Sequence, residues 1–201
     1  MQWHYGGVFT AMGQPLRIEC SEKIFFITTR TVESRLWFVN DKIIERLVLA
    51  YLAKYQKMYG VAIYAFCLMG NHYHLIAKFP NKNKAKFMRS FNAIFAKVVK
   101  EKVPNFQGKL WARRYADQVL PNNEDVEHWY HYCALNAVFA GLSKTSSGYP
   151  SYNSFNDSLT KRIRRYKLFH RSEYNEAKRF RSNVIKEEFV NEYELIFSAL
   201  P

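Results

Sequence analysis

Two strand-like segments separated by a very short turn constrain the fold of this chain most. Residues 61–68 (VAIYAFCL) form a continuous apolar run after Gly60, which is typical of a buried strand. The turn Met69-Gly70-Asn71 follows, and residues 72–79 (HYHLIAKF) form the second segment. Parallel pairing needs a crossover of a dozen residues or more, so a turn this short predicts an antiparallel hairpin.

The segments around this hairpin complete a known pattern of strands and helices. Apolar residues that recur every three or four positions predict two helices, and runs rich in β-branched and aromatic residues predict two more strands. The resulting order is βαββαβ, which is typical of a ferredoxin-like or RRM-like α+β fold with an antiparallel sheet and two helices on one face. The predicted elements are a strand at 23–30, a helix from its cap at Asn40 or Asp41 to Gly60, a helix at 84–101 and a strand within 110–120.

The rest of the chain predicts a third helix and a helical extension. Asn122 or Asn123 begins a helix that ends near Gly141, and a connection rich in Ser, Gly, Pro and Asn follows it. Residues 159–201 resemble two short helices with a basic start. At 201 residues the chain has room for one domain with an appendage. We expect an N-terminal arm over 1–20, a core over 21–142, and a connection with a basic helical C-terminal extension over 143–201.

The charge of the chain favours a polyanionic partner. Thirty Lys and Arg against seventeen Asp and Glu give a net charge of +13, and nucleic acid is the leading partner class. Residues 78–114 hold eleven of the cations and a single acid, Glu101. In the segment 161–171 (KRIRRYKLFHR) aromatic residues alternate with cations, which suits phosphate contacts with base stacking; a solvated helix face explains that segment equally well.

Neither a membrane nor an oxidising compartment is indicated. No apolar run approaches the roughly 18 residues that a membrane span requires, and the N-terminus lacks the pattern of a signal peptide. Cys20, Cys67 and Cys133 are far apart and predict neither a disulfide framework nor a zinc site. We therefore expect a cytoplasmic protein that binds no membrane.

The second strand of the hairpin carries a pair of histidines. His72 and His74 are two residues apart, so both imidazoles lie on one face of the strand with their Cα atoms roughly 6.6 Å apart, where one ion can bridge them. Two half-exposed strand histidines without a ligand are the alternative interpretation. The hydrophobic residue between them anchors the strand in the core, as in the HUH arrangement of nucleases that cut single-stranded DNA.

The third predicted helix can supply a nucleophile to this pair. Tyr130 falls on the apolar side of the helix and is most simply a core aromatic residue. Tyr132 points about 200° away from it and shares its side with His128 and Asn136. One helix face can thus present a phenol and a carbonyl oxygen to a metal-bound phosphate.

Three ordered blocks of sequence resemble a known family. The block 69–75 (MGNHYHL), the segment Gly108-Lys109-Leu110-Trp111 with Arg114-Tyr115, and the helix 132–142 (YCALNAVFAGL) are similar to the REP-associated tyrosine transposases, a group of single-tyrosine HUH insertion-sequence transposases. The early Arg30 and Arg35 are similar to arginines of the family's first strand. The resemblance covers roughly residues 20–155. The chain departs from the family pattern at Gly70 and Ala137, where proline is usual, and at Phe139, where a basic residue is common.

The resemblance implies a reaction and its residues. His72, His74 and Asn136 would hold Mg²⁺ or Mn²⁺, and Tyr132 would attack single-stranded or hairpin DNA to leave a 5′-phosphotyrosine and a free 3′-OH. The protein would be a monomer or a homodimer in a bacterial cytoplasm, associated with the nucleoid during function. We expect DNA contacts from Arg30, Arg35, Lys84, Lys86, Arg89, Arg113, Arg114, Arg162, Arg164, Arg165 and Lys167.

Two other functions remain open at this point. A catalytically silent protein could bind folded DNA or RNA through the same basic surfaces. A replication initiator or relaxase shares the histidine pair, but such proteins tend to carry additional domains.

Overall fold

An antiparallel sheet forms the centre of the molecule. The computed structural model describes residues 18–39 and 41–201, so residues 1–17 of the expected arm and Asn40 lie outside the described residues. The strands are β1 (Ile24–Arg30), β2 (Ala62–Leu68), β3 (His72–Lys78), β4 (Ala116–Leu120), β5 (Arg164–Phe169) and β6 (Val190–Leu195). The helices are α1 (Lys42–Tyr59), α2 (Lys84–Lys102), α3 (Asn123–Phe139), α4 (Phe155–Leu159) and α5 (Arg171–Phe180).

Four of the strands form the main sheet in the order β2-β3-β1-β4, and every neighbouring pair is antiparallel. With α1 between β1 and β2 and α2 between β3 and β4, this is the predicted ferredoxin-like α+β topology, and the prediction is confirmed. The cap of α1 is Asp41, whose carboxylate accepts the backbone N–H groups of Ile43 and Ile44, both at 2.9 Å. Gly60 ends the helix with a φ of 64°.

Helices α1 and α2 cover one face of the sheet and enclose the main core. Its centre is aromatic, with rings of Phe25, Phe66, Tyr73, Phe91 and Phe95 fully buried. Odd-numbered residues of β3 point into this core, so the even-numbered residues of the strand face the other side.

Helix α3 packs on the opposite face and builds a smaller core there. Val126, Tyr130 and Cys133 of the helix contact the sheet cluster that contains Phe26 and Ile76. Tyr130 is thus a core residue, as its position on the apolar stripe predicted. The face that carries the histidines is the one that α3 covers.

The connection after α3 fixes this helix to the sheet. Backbone hydrogen bonds join Leu68 to Tyr152 and Ser154 to Phe66, so the connection adds a short extended segment at the edge of β2. From that segment the side-chain amide of Asn153 donates to the backbone carbonyls of Cys133 and Ala134 in α3, at 3.2 and 2.9 Å. Residues that the sequence predicted to be a polar connection therefore position α3.

The C-terminal extension is only partly helical, so the prediction of a basic helix at its start is wrong. Residues 164–169 form β5, which pairs with β6 in an antiparallel hairpin packed on α1. Tyr166 and Leu168 are buried while Arg165 and Lys167 are exposed, which is the alternation of a strand. Its partner strand begins more than twenty residues later, beyond the reach of a local pattern. Among the described helices, none has the length and hydropathy that crossing a membrane would require.

Candidate active site

The alternation of β3 brings its two histidines together on the α3 face. Tyr73 and Leu75 fill the core on the other side, so His72 and His74 share the face beneath α3. Their ring centroids are 4.8 Å apart and the rings are nearly perpendicular, at 82°. The predicted same-face geometry is therefore present.

His74 is buried without a polar partner. Both of its ring nitrogens lack a hydrogen bond within the part of the chain that the structure describes, although only 5% of the residue is exposed. Its ring stacks on Phe26 at 5.2 Å. Burial lowers the pKa of His74 well below the usual value of imidazole, and the neighbouring His72 and Arg30 lower it further. A buried polar group left in this state costs about 1–3 kcal/mol, which indicates a ligand.

Asn71 orients the ring of His72. The Nδ1 atom of His72 lies 2.6 Å from the side-chain oxygen of Asn71, and the amide of Asn71 donates to the backbone carbonyl of Ser34 at 2.8 Å. An oxygen acceptor places the proton on Nδ1 and leaves Nε2 as the nitrogen with a free lone pair. Burial, with a smaller contribution from Arg30, lowers the pKa of His72 to about 4. Both histidines are thus neutral at physiological pH, the form that binds metals.

Tyr132 lies against the histidine pair. Its ring centroid is 5.4 Å from that of His74, and its phenol interacts with the side chain of Asn136, one turn along α3. Burial raises the pKa of Tyr132, whereas the hydrogen bond with Asn136 and the charge of Arg30 act in the opposite direction. The predicted residues His72, His74, Tyr132 and Asn136 are therefore neighbours, while His128 is exposed on the outer part of the helix.

The donors at this site could hold a divalent cation: the amide oxygen of Asn136 favours a hard ion, and the two imidazoles also suit zinc or nickel. Two neutral imidazoles are available, and Asn136 is 7% exposed, so its amide is sheltered from water. Among the described residues no three His, Cys, Asp or Glu side chains come together as a metal site. A metal bound here would therefore complete its shell with amide, water or phosphate oxygens, as Mg²⁺ and Mn²⁺ favour.

Arg30 supplies positive charge beside the histidines. It is paired with His72 across strands β1 and β3, its side chain is exposed, and its charge influences the pKa of both histidines and of Tyr132. Of the predicted DNA contacts, Arg30 is the one that this geometry places in the candidate active site.

Lys84 cannot contact DNA, and that prediction is wrong. The side chain is fully buried, and its ammonium group donates to the carboxylate of Asp117 at 2.5 Å and to the carbonyl of Ile18 at 2.6 Å. The group also lies 3.6 Å from the ring centroid of Phe25. Lys84 therefore joins α2 to β4 inside the fold.

Arg164 also has a structural role in place of the predicted DNA contact. Its guanidinium binds both carboxylate oxygens of Asp157, which is 3% exposed, and Tyr152 donates a third bond to that carboxylate at 2.6 Å. Two other predicted contacts are exposed ion pairs: Arg165 lies 2.9 Å from Glu194, and Arg35 lies 2.5 Å from Glu33. Acidic partners therefore bind two of the six Lys and Arg residues in the segment 161–171, Arg164 and Arg165.

The cations of residues 78–114 are distributed over both faces of the sheet. Lys86 and Arg89 are exposed on α2, which covers the sheet face opposite to the histidines. Arg113 lies on the histidine side, where it lines a groove with Phe26 and Trp129. The candidate active site therefore faces the segment before β4 and not the exposed side of α2.

Three residues at the site were missing from the sequence prediction: Phe26, Trp129 and Asn71. Trp129 stacks on Phe26 with ring centroids 4.1 Å apart and contacts Tyr132 edge-on at 5.2 Å, and Asn71 orients His72. The spacing of Trp129, three residues before Tyr132, places both on neighbouring positions of the helix and was a usable signal. The only sequence signal for Asn71 was its position next to His72.

Comparisons with known proteins identify the family of the chain and a solved structure of similar fold. The family model described as "Transposase IS200 like" matches residues 24–134, more than half of the chain. The solved structure of a REP-associated tyrosine transposase bound to a REP hairpin is similar in fold, with a TM-score of 0.62 and 18% identity over 75% of this chain and 87% of that one. A structure described as a transposase of uncertain assignment from Deinococcus radiodurans R1 has a TM-score of 0.37 and 14% identity over 61% and 95% of the two chains. No curated protein matches the sequence.

Proposed function

This chain belongs to the IS200-like transposase family, and we propose that it cuts and rejoins single-stranded DNA with Tyr132 as the nucleophile. The observation that carries the proposal is the contact between Tyr132 and His74 within one chain, at 5.4 Å between ring centroids. A phenol beside two neutral imidazoles matches the needs of a phosphodiester transfer. One chain supplies all of these groups.

The proposed step is an exchange of one phosphoester bond for another. The phenol oxygen of Tyr132 forms a bond to the phosphorus and loses its proton to solvent, while the bond from phosphorus to the 3′ oxygen breaks. The departing 3′ oxygen takes up a proton, and the 5′ phosphate stays on the tyrosine. The covalent ester conserves the energy of the broken bond, so rejoining needs no nucleoside triphosphate.

The side chains around the phenol assist this attack. Burial disfavours the phenolate, so Asn136 and Arg30, which both favour it, support the loss of the proton. His72, His74 and Asn136 are the residues that would hold Mg²⁺ or Mn²⁺. A bound divalent cation supplies charge stabilisation at the phosphate oxygens.

The proposed substrate is a hairpin-forming repeat with an unpaired flank. A cut within unpaired DNA fits a half-buried site that is flanked by the exposed cations Arg30 and Arg113. The structurally similar REP-associated tyrosine transposase is bound to a REP hairpin, and a hairpin is therefore the first substrate to test.

A denaturing gel tests the proposal. The DNA is a hairpin oligonucleotide with randomised single-stranded flanks and a label at its 3′ end, so a 5′-phosphotyrosine keeps the label on the protein. We expect a labelled protein band with Mn²⁺ and none with EDTA. His74→Ala should lose the band while retaining DNA affinity, and Tyr130→Phe is the control that should keep it.

Two results would contradict the proposal. A band that persists undiminished in EDTA would exclude the metal-dependent reaction. Hairpin binding without any covalent band under all metal conditions would favour the silent nucleic-acid-binding protein instead.

A further inference from the structure

A groove lies beside the candidate active site, between β1 and β4 of the sheet and helix α3. Its volume is about 480 Å³. The floor is formed by Phe26 and Thr28 of β1 with their cross-strand partners Gln118 and Ala116 of β4. Thr28 is in turn paired with His74, so the groove begins one strand away from that histidine, about 4.8 Å across the sheet.

The wall and the far end of the groove add two different chemistries. Trp129 of α3 is half-buried, stacks on Phe26, and gives the groove an aromatic wall. Arg113, which precedes β4, adds an exposed positive charge at the same groove. The small side chain of Ala116 leaves the floor open.

Gln118 gives the groove a polar group that can discriminate between ligands. Its exposed amide carries a donor and an acceptor side by side, the pair that matches a nucleobase edge. An aromatic wall accepts any flat ring, whereas the amide favours the ring whose edge complements it. A flat heteroaromatic ring with a hydrogen-bonding edge, linked to an anion, fits all of these features.

The groove is lined by Phe26, Thr28, Arg113, Ala116, Asp117, Gln118 and Trp129, and the carboxylate of Asp117 is already paired with the ammonium group of Lys84. We propose that this nucleobase groove binds one unpaired base next to the phosphodiester that is cut. The ring stacks on Trp129, Gln118 reads its edge, and Arg113 contacts an adjoining phosphate. The inference deepens the proposed function and rests on it, because it assigns base selection to the same strand that Tyr132 attacks.

The test measures binding without cleavage. Dissociation constants of fluorescent octamers of deoxyadenosine, deoxycytidine and thymidine are determined in EDTA by anisotropy for the full chain and three variants. Gln118→Ala removes the reading group, Ala116→Leu fills the floor, and Gln107→Ala is a matched control in an exposed loop. Ala116 and Gln118 are exposed on the edge strand β4, so both substitutions are expected to leave the fold intact.

We expect the wild type to prefer one octamer. Gln118→Ala should reduce the ratio between the tightest and the weakest octamer by about fivefold or more. Ala116→Leu should weaken the tightest octamer by about fivefold or more through lost stacking. Gln107→Ala should match the wild type. Equal affinities of the wild type for all three octamers, or wild-type values in both groove variants, would overturn the proposal.

The outcome separates this proposal from the proposed function. If the octamer results are as expected but no covalent DNA adduct forms, the groove binds bases and the cleavage function fails. If an adduct forms on Tyr132 while both groove variants bind like the wild type, the cleavage function holds and the base-selecting groove is refuted.

Discussion

At the scale of single residues, short-range periodicity predicted how the residues of the candidate site are placed, whereas long-range contacts determine the burial of residues such as Lys84. The period of two in a strand placed His72 and His74 on one face, and the 100° step of a helix separated Tyr132 from the core residue Tyr130. Lys84 read as a surface cation in the first turn of a helix. Its burial depends on Asp117, thirty-three positions away, which no local pattern reveals.

Gly70 shows how a departure from a family pattern can follow from packing. A Cβ atom at this position would lie 2.1 Å from Cγ2 of Val39 and 3.1 Å from Cδ2 of Leu36. The segment before α1 therefore occupies the space that a proline ring would need. Glycine at the turn before His72 is the consequence of that close approach.

The packing at Gly70 makes a stability prediction. Gly70→Ala should lower the free energy of unfolding by about 1–3 kcal/mol, because the added methyl group overpacks against Val39. Adding Val39→Ala removes the opposing methyl groups and should recover part of that loss. Urea unfolding of both single variants and the double variant measures the coupling. Strictly additive effects of the two substitutions would show that the clash is absent.

At the scale of elements, the core was predicted well and the C-terminal hairpin was not. Long amphipathic runs and clear stop signals define α1 and α2 without reference to other parts of the chain. Strand β5 has only six residues, and its alternation gains meaning from β6 and from the buried surface of α1. A strand whose partner is distant in sequence resembles a basic helix until that partner is known.

The ion pair at the start of β5 gives a second prediction. Arg164→Ala should lower the free energy of unfolding by about 1–3 kcal/mol, since it removes the guanidinium that binds the buried carboxylate of Asp157. Arg165→Ala, in the neighbouring exposed pair, should change it by less than about 0.5 kcal/mol. Denaturant titrations of the wild type and both variants measure these changes in the free energy of unfolding. A larger loss in Arg165→Ala would contradict the structural role assigned to Arg164.

At the scale of the whole molecule, the positive charge is divided between the two faces of the sheet. The net charge of +13 attracts nucleic acid from any direction, but the candidate active site faces only the side with α3. Arg30 and Arg113 lie on that side, whereas Lys86 and Arg89 lie on the exposed surface of α2. Composition predicted a nucleic-acid partner, and the fold shows which cations lie on the side of the candidate active site.

This division predicts different salt dependences for two variants of equal charge. Replacing Arg30 and Arg113 with Gln should reduce the slope of log affinity against log salt for a single-stranded oligonucleotide by about 1.4, at about 0.7 for each lost phosphate contact. The matched variant with Lys86→Gln and Arg89→Gln should keep the wild-type slope. Anisotropy titrations at four salt concentrations give both slopes. An equal or larger effect of the α2 variant would place the DNA on the other face.

The identity of the residue that becomes bonded to DNA tests the central claim most directly. The adduct formed with Mn²⁺ is digested with nuclease and protease, and mass spectrometry locates the peptide that carries the remaining 5′ nucleotide. We predict that the nucleotide lies on Tyr132 and that Tyr132→Phe forms no adduct while it folds and binds the hairpin like the wild type. A nucleotide on Tyr130, Tyr115 or any other residue, or an undiminished adduct in Tyr132→Phe, would contradict the account.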